Sequence, residues 1–370
     1  LRIPGVRALK QEAKKRAIAS YRETNTSLEA LYQADLAAIE KMRARLSCIY
    51  REQLAPGGDL DLANLFVLKN WTALRSNGRM YLVLPRSAMS AGALAKWRGR
   101  VLHEGEFVGI TFSGNKASWL FQGPDERLSV CFAEVGKAKA NSVHVNGPFY
   151  ELQDWIQRRD RFTEIPVEEF LTWSAEATFP LFDDDMALEI FRQSQKSPSV
   201  LSKVYGQMVR VYCELHATND SNLFTTDEDE TISRPPVWGG SSFDIWNPHK
   251  SGPWAWVTTP DADDIMREKL RVSTRRRTSA YFEWNPDAPL PSSRPRVAYR
   301  WVTNRTNTRT VVTSLVLPGL CVNSAPVFVF PDGWEQVEAF LLGVLSSRVF
   351  DWQARQIVEG NLTFELLGNL

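Results

Sequence analysis

Seven side chains in the last third of the sequence are of the types that grip nucleic acid. They are Arg275, Arg276 and Arg277, then Arg300, Asn304, Arg305 and Arg309. Arg makes two-point hydrogen bonds to guanine edges and Asn to adenine edges, and Arg also pairs with phosphate. The run Arg296-Val-Ala-Tyr-Arg-Trp-Val-Thr-Asn-Arg-Thr-Asn-Thr-Arg-Thr310 sets Arg or a small polar residue at almost every second position over Val, Tyr and Trp. Such alternation predicts a strand with one buried and one wet face, the wet face carrying Arg300, Asn304 and Arg309 beside Thr hydroxyls. The Arg275–Arg277 triplet is flanked by Ser273, Thr274, Thr278 and Ser279 and reads as a phosphate clamp.

Net charge alone gives no partner, since the formal value is +1. Its distribution does. From Arg161 to Glu230 there are 5 basic and 14 acidic residues, and from Arg267 to Arg309 there are 11 basic and 3 acidic. Sign segregation of this kind can line a basic groove on a neutral molecule, and duplex DNA is the partner it predicts.

Other chemistries find little support. His103, His144, His216 and His249 are scattered, with no spaced carboxylate or Cys to make a base or a metal site. Ser87 lacks the Gly-x-Ser-x-Gly setting of a nucleophile. Asp183-Asp-Asp185 reads as an exposed acidic turn, and Thr218-Asn-Asp-Ser221 as a structural turn. Trp246, Trp254 and Trp256 read as core residues. The expectation is therefore no catalytic residue and no metal. Cys48, Cys131, Cys213 and Cys321 stand far apart and read as reduced, mostly buried thiols of a cytoplasmic protein. No apolar run reaches the roughly 20 residues that span a bilayer.

The elements that must position these groups divide the chain in two. Residues 8–50 have helical composition, and Leu62, Leu65, Phe66, Leu68 and Trp71 give a second apolar stripe. Ser76-Asn-Gly78 breaks it. Arg79–Pro85 reads as a strand buried in a parallel sheet, Ser90–Arg98 opens a helix, and Val108–Phe112 and Leu128–Ala133 are further strands. This alternation predicts a doubly wound α/β sheet over residues 1–140. A second α/β domain follows over 141–370, with helices near Glu151–Arg159, Met186–Gln195, Asp263–Leu270 and Trp334–Ile357. Asp227–Glu230 and Ala288–Pro295 read as exposed loops.

Gly78-Arg-Met-Tyr-Leu-Val-Leu-Pro-Arg-Ser87, followed by Trp97-Arg98, resembles the later part of the catalytic domain of N6-adenine DNA methyltransferases. The variety is the fused restriction-modification kind (Type IIG and Type ISP) or the BREX and phage-growth-limitation kind. Further landmarks follow in that family's order. They are His216–Phe224, Val237–Trp246, Arg296–Thr310, Leu317-Pro318, Leu341–Trp352 and Asn361–Phe364. The resemblance covers most of residues 60–370. It implies the C-terminal part of a Rossmann-like methyltransferase sheet followed by an α/β target-recognition domain. The family's Asn-Pro-Pro-aromatic motif and cofactor-binding glycines do not occur; Asn247-Pro248 and Asn285-Pro286 are partial echoes.

The resemblance thus implies site-specific adenine-N6 methylation in restriction-modification or phage defence, with this chain as the DNA-reading portion. S-adenosyl-methionine would be bound mainly by residues absent from the chain. The partners would be double-stranded DNA and a missing N-terminal catalytic part or other defence subunits. The start at Leu1, without Met, is what a fragment would show. Two alternatives stand beside it. One is a non-catalytic DNA-specificity subunit that recruits a separate enzyme. The other is an interaction protein that docks through its N-terminal helices.

Overall fold

The computed structural model describes residues 11–54, 61–123, 126, 128–196, 210–226, 234–258, 262–273, 285, 287–330, 332–368 and 370. Two helices come first, α1 (Gln11–Thr24) and α2 (Thr26–Tyr50), and α2 buries no residue. Helix α3 (Leu62–Ala73) begins where the Asp61 carboxylate accepts the Ala63 N–H at 2.9 Å. Strand β1 (Arg79–Pro85) follows a turn in which Asn77 takes the left-handed conformation. Then come α4 (Ser87–Ser90), α5 (Ala95–Glu104), β2 (Glu106–Gly114), β3 (Ser129–Gly136), β4 (Ser142–Phe149), α6 (Leu152–Arg158), β5 (Thr163–Pro166), α7 (Val167–Trp173) and α8 (Asp185–Ser194).

The five strands form one sheet in the order β1-β3-β2-β4-β5. Strand β3 lies antiparallel between β1 and β2, so those two run parallel to each other across the α4–α5 connection, and β4 is parallel to β2. The fold is α/β with a mixed sheet. Residues 79–85, expected as a strand buried on both faces, form instead an edge strand whose Tyr81 and Val83 side chains are 75% and 61% exposed. The other face is covered by an aromatic core. Trp97 meets Phe107 edge-on at 5.5 Å, Phe107 meets Phe179 at 5.0 Å, and Phe170 stacks on Phe179 at 4.3 Å. This core runs on to Leu188 and Phe191, and β4 and β5 belong to the same sheet. The first unit therefore extends well past residue 140, where the composition shift placed its end.

The second unit contains β6 (Arg210–Tyr212), β7 (Phe224–Thr225), β8 (Pro236–Trp238), β9 (Ala255–Val257), α9 (Ala262–Ser273), β10 (Arg296–Tyr299), β11 (Thr313–Val316), β12 (Leu320–Cys321), β13 (Val327–Val329), α10 (Glu335–Ser346), α11 (Arg348–Ile357) and α12 (Phe364–Gly368). Two small sheets result, β11-β10-β13-β6 and β12-β8-β9-β7. Such short strands offer few ladder bonds, and buried polar groups bind the sheets together. Arg296 on β10 pairs with the Glu214 carboxylate, and both side chains are nearly fully buried. The other Glu214 oxygen accepts the Cys321 N–H of β12 at 2.8 Å. Arg296 also donates to the Gly319 carbonyl. Gly319 has φ +139°, and a Cβ there would stand 2.5 Å from the Pro236 oxygen, so no other residue fits.

The stretch Trp334–Ile357, read as one helix, is two. Ser347 takes an extended backbone at φ −68° and ψ 154°, and its hydroxyl accepts the Phe350 N–H at 3.1 Å, which starts α11. Cys131 and Cys321 are buried, Cys213 is half-buried and Cys48 exposed, all as free thiols. No described helix is long and apolar enough to cross a membrane.

One fully buried cation joins the two units. Arg86, just after β1, donates to the Gln356 and Ile357 carbonyls at 2.9 and 3.1 Å. These carbonyls end α11, where a helix offers unpaired acceptors and partial negative charge. Burial pulls the Arg86 pKa down to about 10 while Glu359 pulls the other way, so the group stays charged at neutral pH. Ser129 N–H to the Glu359 carboxylate at 2.8 Å and Leu181 N–H to the Gln356 carbonyl at 2.8 Å flank it. Replacing Arg86 by Met removes two charge-assisted hydrogen bonds and leaves two buried carbonyls without this donor. The expected loss is about 3 kcal/mol or more in urea unfolding; a loss under about 1 kcal/mol would show that the seam does not depend on it.

Candidate nucleic-acid interface

The basic segment does not form the predicted strand. Only Arg296–Tyr299 is a strand, all four of its residues are buried, and the chain from Arg300 to Val312 is a loop with one isolated β-bridge, Val302 to Asn361. There is accordingly no wet strand face. The side chains assigned to one turn inward and shape the loop. Arg300 donates from Nε to the Gly240 carbonyl at 2.7 Å and from Nη2 to the Phe243 carbonyl at 3.0 Å. The Asn304 side-chain oxygen accepts the Thr306 N–H and hydroxyl, both at 2.9 Å, which is a turn-closing role. Arg309 donates to the Ser346 and Ser347 carbonyls at 2.6 and 3.0 Å and lies 3.4 Å from the Asp351 carboxylate. Arg305 sits at the seam between the units, 3.8 Å from Asp183 and 6.0 Å from the Tyr150 ring centre.

The remaining described arginines of the segment are engaged in the same way. Arg267 donates to the Ala288 carbonyl, Arg271 pairs with Glu268, Arg294 donates to the Phe330 carbonyl, and Arg296 pairs with Glu214. The expected groove lined by arginines 267–309 is therefore corrected for the described residues. Backbone carbonyls and carboxylates of the protein itself take up these cations. Arg275, Arg276 and Arg277 lie outside the described residues, as does Asp227–Glu230.

What the arginines build is a pair of stiff loops. The first runs from Gly239 to Trp254. Gly240 approaches so closely that a Cβ would stand 2.6 Å from the Ser324 oxygen, and its N–H donates to the Ser324 hydroxyl at 3.1 Å. Farther out, Asp244 and Asn247 exchange backbone hydrogen bonds at 2.8 and 2.9 Å, closing a two-residue turn. Ile245 packs inward against the core around Phe243. Trp246 points outward, 63% exposed, with φ +58°. That conformation favours Gly or Asn, and it costs a bulky residue on the order of 1 kcal/mol. Lys250 reaches back to Asp244 at 2.5 Å and holds its carboxyl below the usual carboxylate range, so the bond persists at neutral pH and is lost only in acid. Asn247, His249 and Lys250 follow Trp246 in the chain and are exposed, with the His249 ring 6.3 Å from that of Trp238. Trp246 had read as core. The signal for its exposure was the pair Asp244 and Asn247, turn-forming residues three apart.

The second loop, Arg300–Val312, is shaped from beneath by α11. One oxygen of the buried Asp351 accepts the Thr310 and Val311 N–H groups at 2.7 and 2.8 Å, and the other accepts Arg355 Nε at 2.9 Å. Arg355 also donates to the Arg305 and Thr308 carbonyls at 2.9 and 2.6 Å. Thr306, Asn307 and Thr308 are left exposed at the tip. Arg300 belongs to this loop and braces the first, so its guanidinium couples the two.

The minor sites resolve simply. Asp184 caps α8 by accepting the Ala187 N–H, and Asp185 accepts the Thr163 hydroxyl. Asp220 accepts the His216 N–H at 2.7 Å and pairs with Lys269, which makes Thr218–Ser221 a turn. Among the described residues no group of three His, Cys, Asp or Glu could hold a metal ion. In an open α/β sheet a ligand sits beyond the carboxyl ends of the parallel strands. Here β1 is followed by Arg86, committed to α11. Strand β2 ends at Gly114, where a Cβ would meet Tyr150 at 2.8 Å. Near the ends of β2 and β4 a cavity of about 490 Å³ remains, lined mainly by apolar and aromatic side chains, among them Trp119, Leu120, Phe149 and Trp155.

No family model and no curated protein matches the chain. Among solved structures it is similar to the Type IIG restriction endonuclease BpuSI, at 12% identity and TM-score 0.30, over 83% of this chain and 41% of that one. It is similar to the Type IIL restriction-modification enzyme MmeI in complex with DNA, at 12% identity and TM-score 0.44, over 84% and 41%. It is similar also to DrdV in a DNA complex, at 9% identity and TM-score 0.36, over 78% and 33%. The chain thus spans less than half the length of each. Likenesses this distant assign no role to any residue.

Replacing Asp351 by Asn places an amide N–H₂ among two backbone N–H donors and two arginines. The expected cost is about 2–4 kcal/mol in chemical denaturation, since a buried carboxylate holding charged partners is removed. A change within 0.5 kcal/mol, the usual range of surface substitutions, would mean that the loop holds its shape without it.

Proposed function

We propose that this chain grips duplex DNA as the reading part of a site-specific adenine-N6 DNA methyltransferase, in restriction-modification or phage defence within the cytoplasm. The observation that carries this reading is the convergence of the landmark segments. They are far apart in sequence, yet they meet in one hydrogen-bonded assembly that ends in two exposed loop tips. Trp238 Nε1 donates to the Pro318 carbonyl. Arg300 ties 300 to 240–243, Asp351 ties 310–311 to α11, and the Trp301 ring meets Phe364 at 5.1 Å. The tips present Trp, Asn, Thr, His and Lys, residue types suited to bases and phosphates.

The chemistry of methyl transfer belongs elsewhere. The Asn-Pro-Pro-aromatic motif that would hold the target amine is absent from the sequence, and so are the cofactor glycines. S-adenosyl-methionine would sit on a catalytic part outside this chain. The bare outer face of β1, with Tyr81 and Val83, supports a partner seated against this sheet. In this reading Arg275, Arg276 and Arg277 supply phosphate contacts, while Arg300, Asn304, Arg305 and Arg309 hold the loops that make the others.

This division of labour separates in a salt titration of DNA affinity. Each phosphate contact contributes about 0.9 to the slope of log affinity against log salt. Replacing Arg275, Arg276 and Arg277 together by Ala should flatten the slope by about 2–3 and weaken all sequences alike. Replacing Arg300 by Gln should lower affinity with the slope unchanged. A wild-type chain that binds no duplex at low salt would refute the reading.

A further inference from the structure

We propose that Trp246 is a stacking platform for a nucleobase that has left the duplex stack. The inference rests on the DNA-gripping reading above and adds to it a specific ligand, the flat face of an unpaired base. Three features of the first loop lead to it. The indole is 63% exposed on a turn whose neighbouring residue, Ile245, is drawn into the core. A Trp occupies a left-handed position at φ +58° that Gly or Asn would fill without strain, which is the mark of a side chain kept for something other than folding. The turn is also held stiff at three levels. Asp244 and Asn247 close it, Lys250 bonds Asp244, and Arg300 anchors its base at Gly240 and Phe243.

A rigidly presented ring loses little freedom when a ligand covers it. An unstacked base offers the matching partner, because every base has a π-face and pays for unstacking when it stays in water. The surroundings favour a nucleic acid over an apolar protein surface. Asn247, the next residue in the chain, is exposed and supplies a hydrogen-bond donor for a base edge, and Lys250, bonded to Asp244 across the same turn, adds positive charge that suits a phosphate.

The test uses the whole chain and two probes, a fully paired duplex of about two dozen base pairs and the same duplex with one unpaired adenine at its centre. Wild type should bind the bulged duplex more tightly. Trp246→Ala and Trp246→Gly should lose roughly 5- to 150-fold on the bulged duplex, the range of a single base–aromatic stack, and bind the two probes alike. Trp246→Phe should keep most of the preference. Urea midpoints of the Gly variant should equal or exceed wild type, which excludes unfolding as the cause. If wild type binds duplex and Trp246→Ala binds both probes as wild type does, the platform is refuted and the DNA grip stands. Equal losses on both probes would make the indole a groove contact and would also overturn it, as would altered self-association with DNA binding unchanged. Failure of wild type to bind either probe would remove the underlying reading itself.

Discussion

Helix α11 is the strut on which the second unit depends. Its last carbonyls are clamped by the buried Arg86 of the first unit, and its middle carries Asp351 and Arg355. A buried carboxylate must find donors or pay heavily for desolvation, and Asp351 finds them in two consecutive backbone N–H groups of another segment. That requirement fixes where residues 310 and 311 lie. Arg355 then fixes 305 and 308 from the same helix. The seam and the loop therefore share one element, and a shift of α11 would move both.

The same logic explains why a segment so rich in Arg need not be a basic surface. A guanidinium has five donors in a fixed fork. In a unit whose strands are two to four residues long, many loop carbonyls have no ladder partner, and arginines satisfy them. Arg300 and Arg309 each bond two carbonyls, Arg355 another two, and Arg98 does the same for four in the first unit. The polar tips that remain exposed are positioned by charges that are themselves largely hidden. Rigid tips lower the ordering cost of binding, so a modest set of contacts can suffice.

Much of the fold was legible in the sequence. The α/β alternation and helix α3 followed from apolar periodicity, and the turn before β1 followed from Ser76-Asn-Gly78. Three things were not. The continuation of the first core to Phe191 depends on β4 pairing with β2, a long-range choice that composition does not encode. The division at Ser347 was hidden because apolar residues keep helical spacing on both sides of it. The misreading of 296–310 as a strand came from treating alternating Arg as solvent-facing. Carbonyl acceptors leave no trace in sequence, since every residue has one. Trp246 escaped for a related reason, because an indole reads as core unless the turn that expels it is recognised.

The central claim is that two loops, already shaped in the free protein, are what duplex DNA meets. Amide hydrogen exchange with and without duplex tests it most directly. The account predicts slow exchange at Thr310 and Val311 before DNA is added, and added protection confined to residues 239–251 and 300–309 together with the 274–284 segment. Free-protein exchange at the rate of an unstructured chain at Thr310 and Val311, or DNA protection that falls instead on the outer face of β1 or on α2, would contradict it.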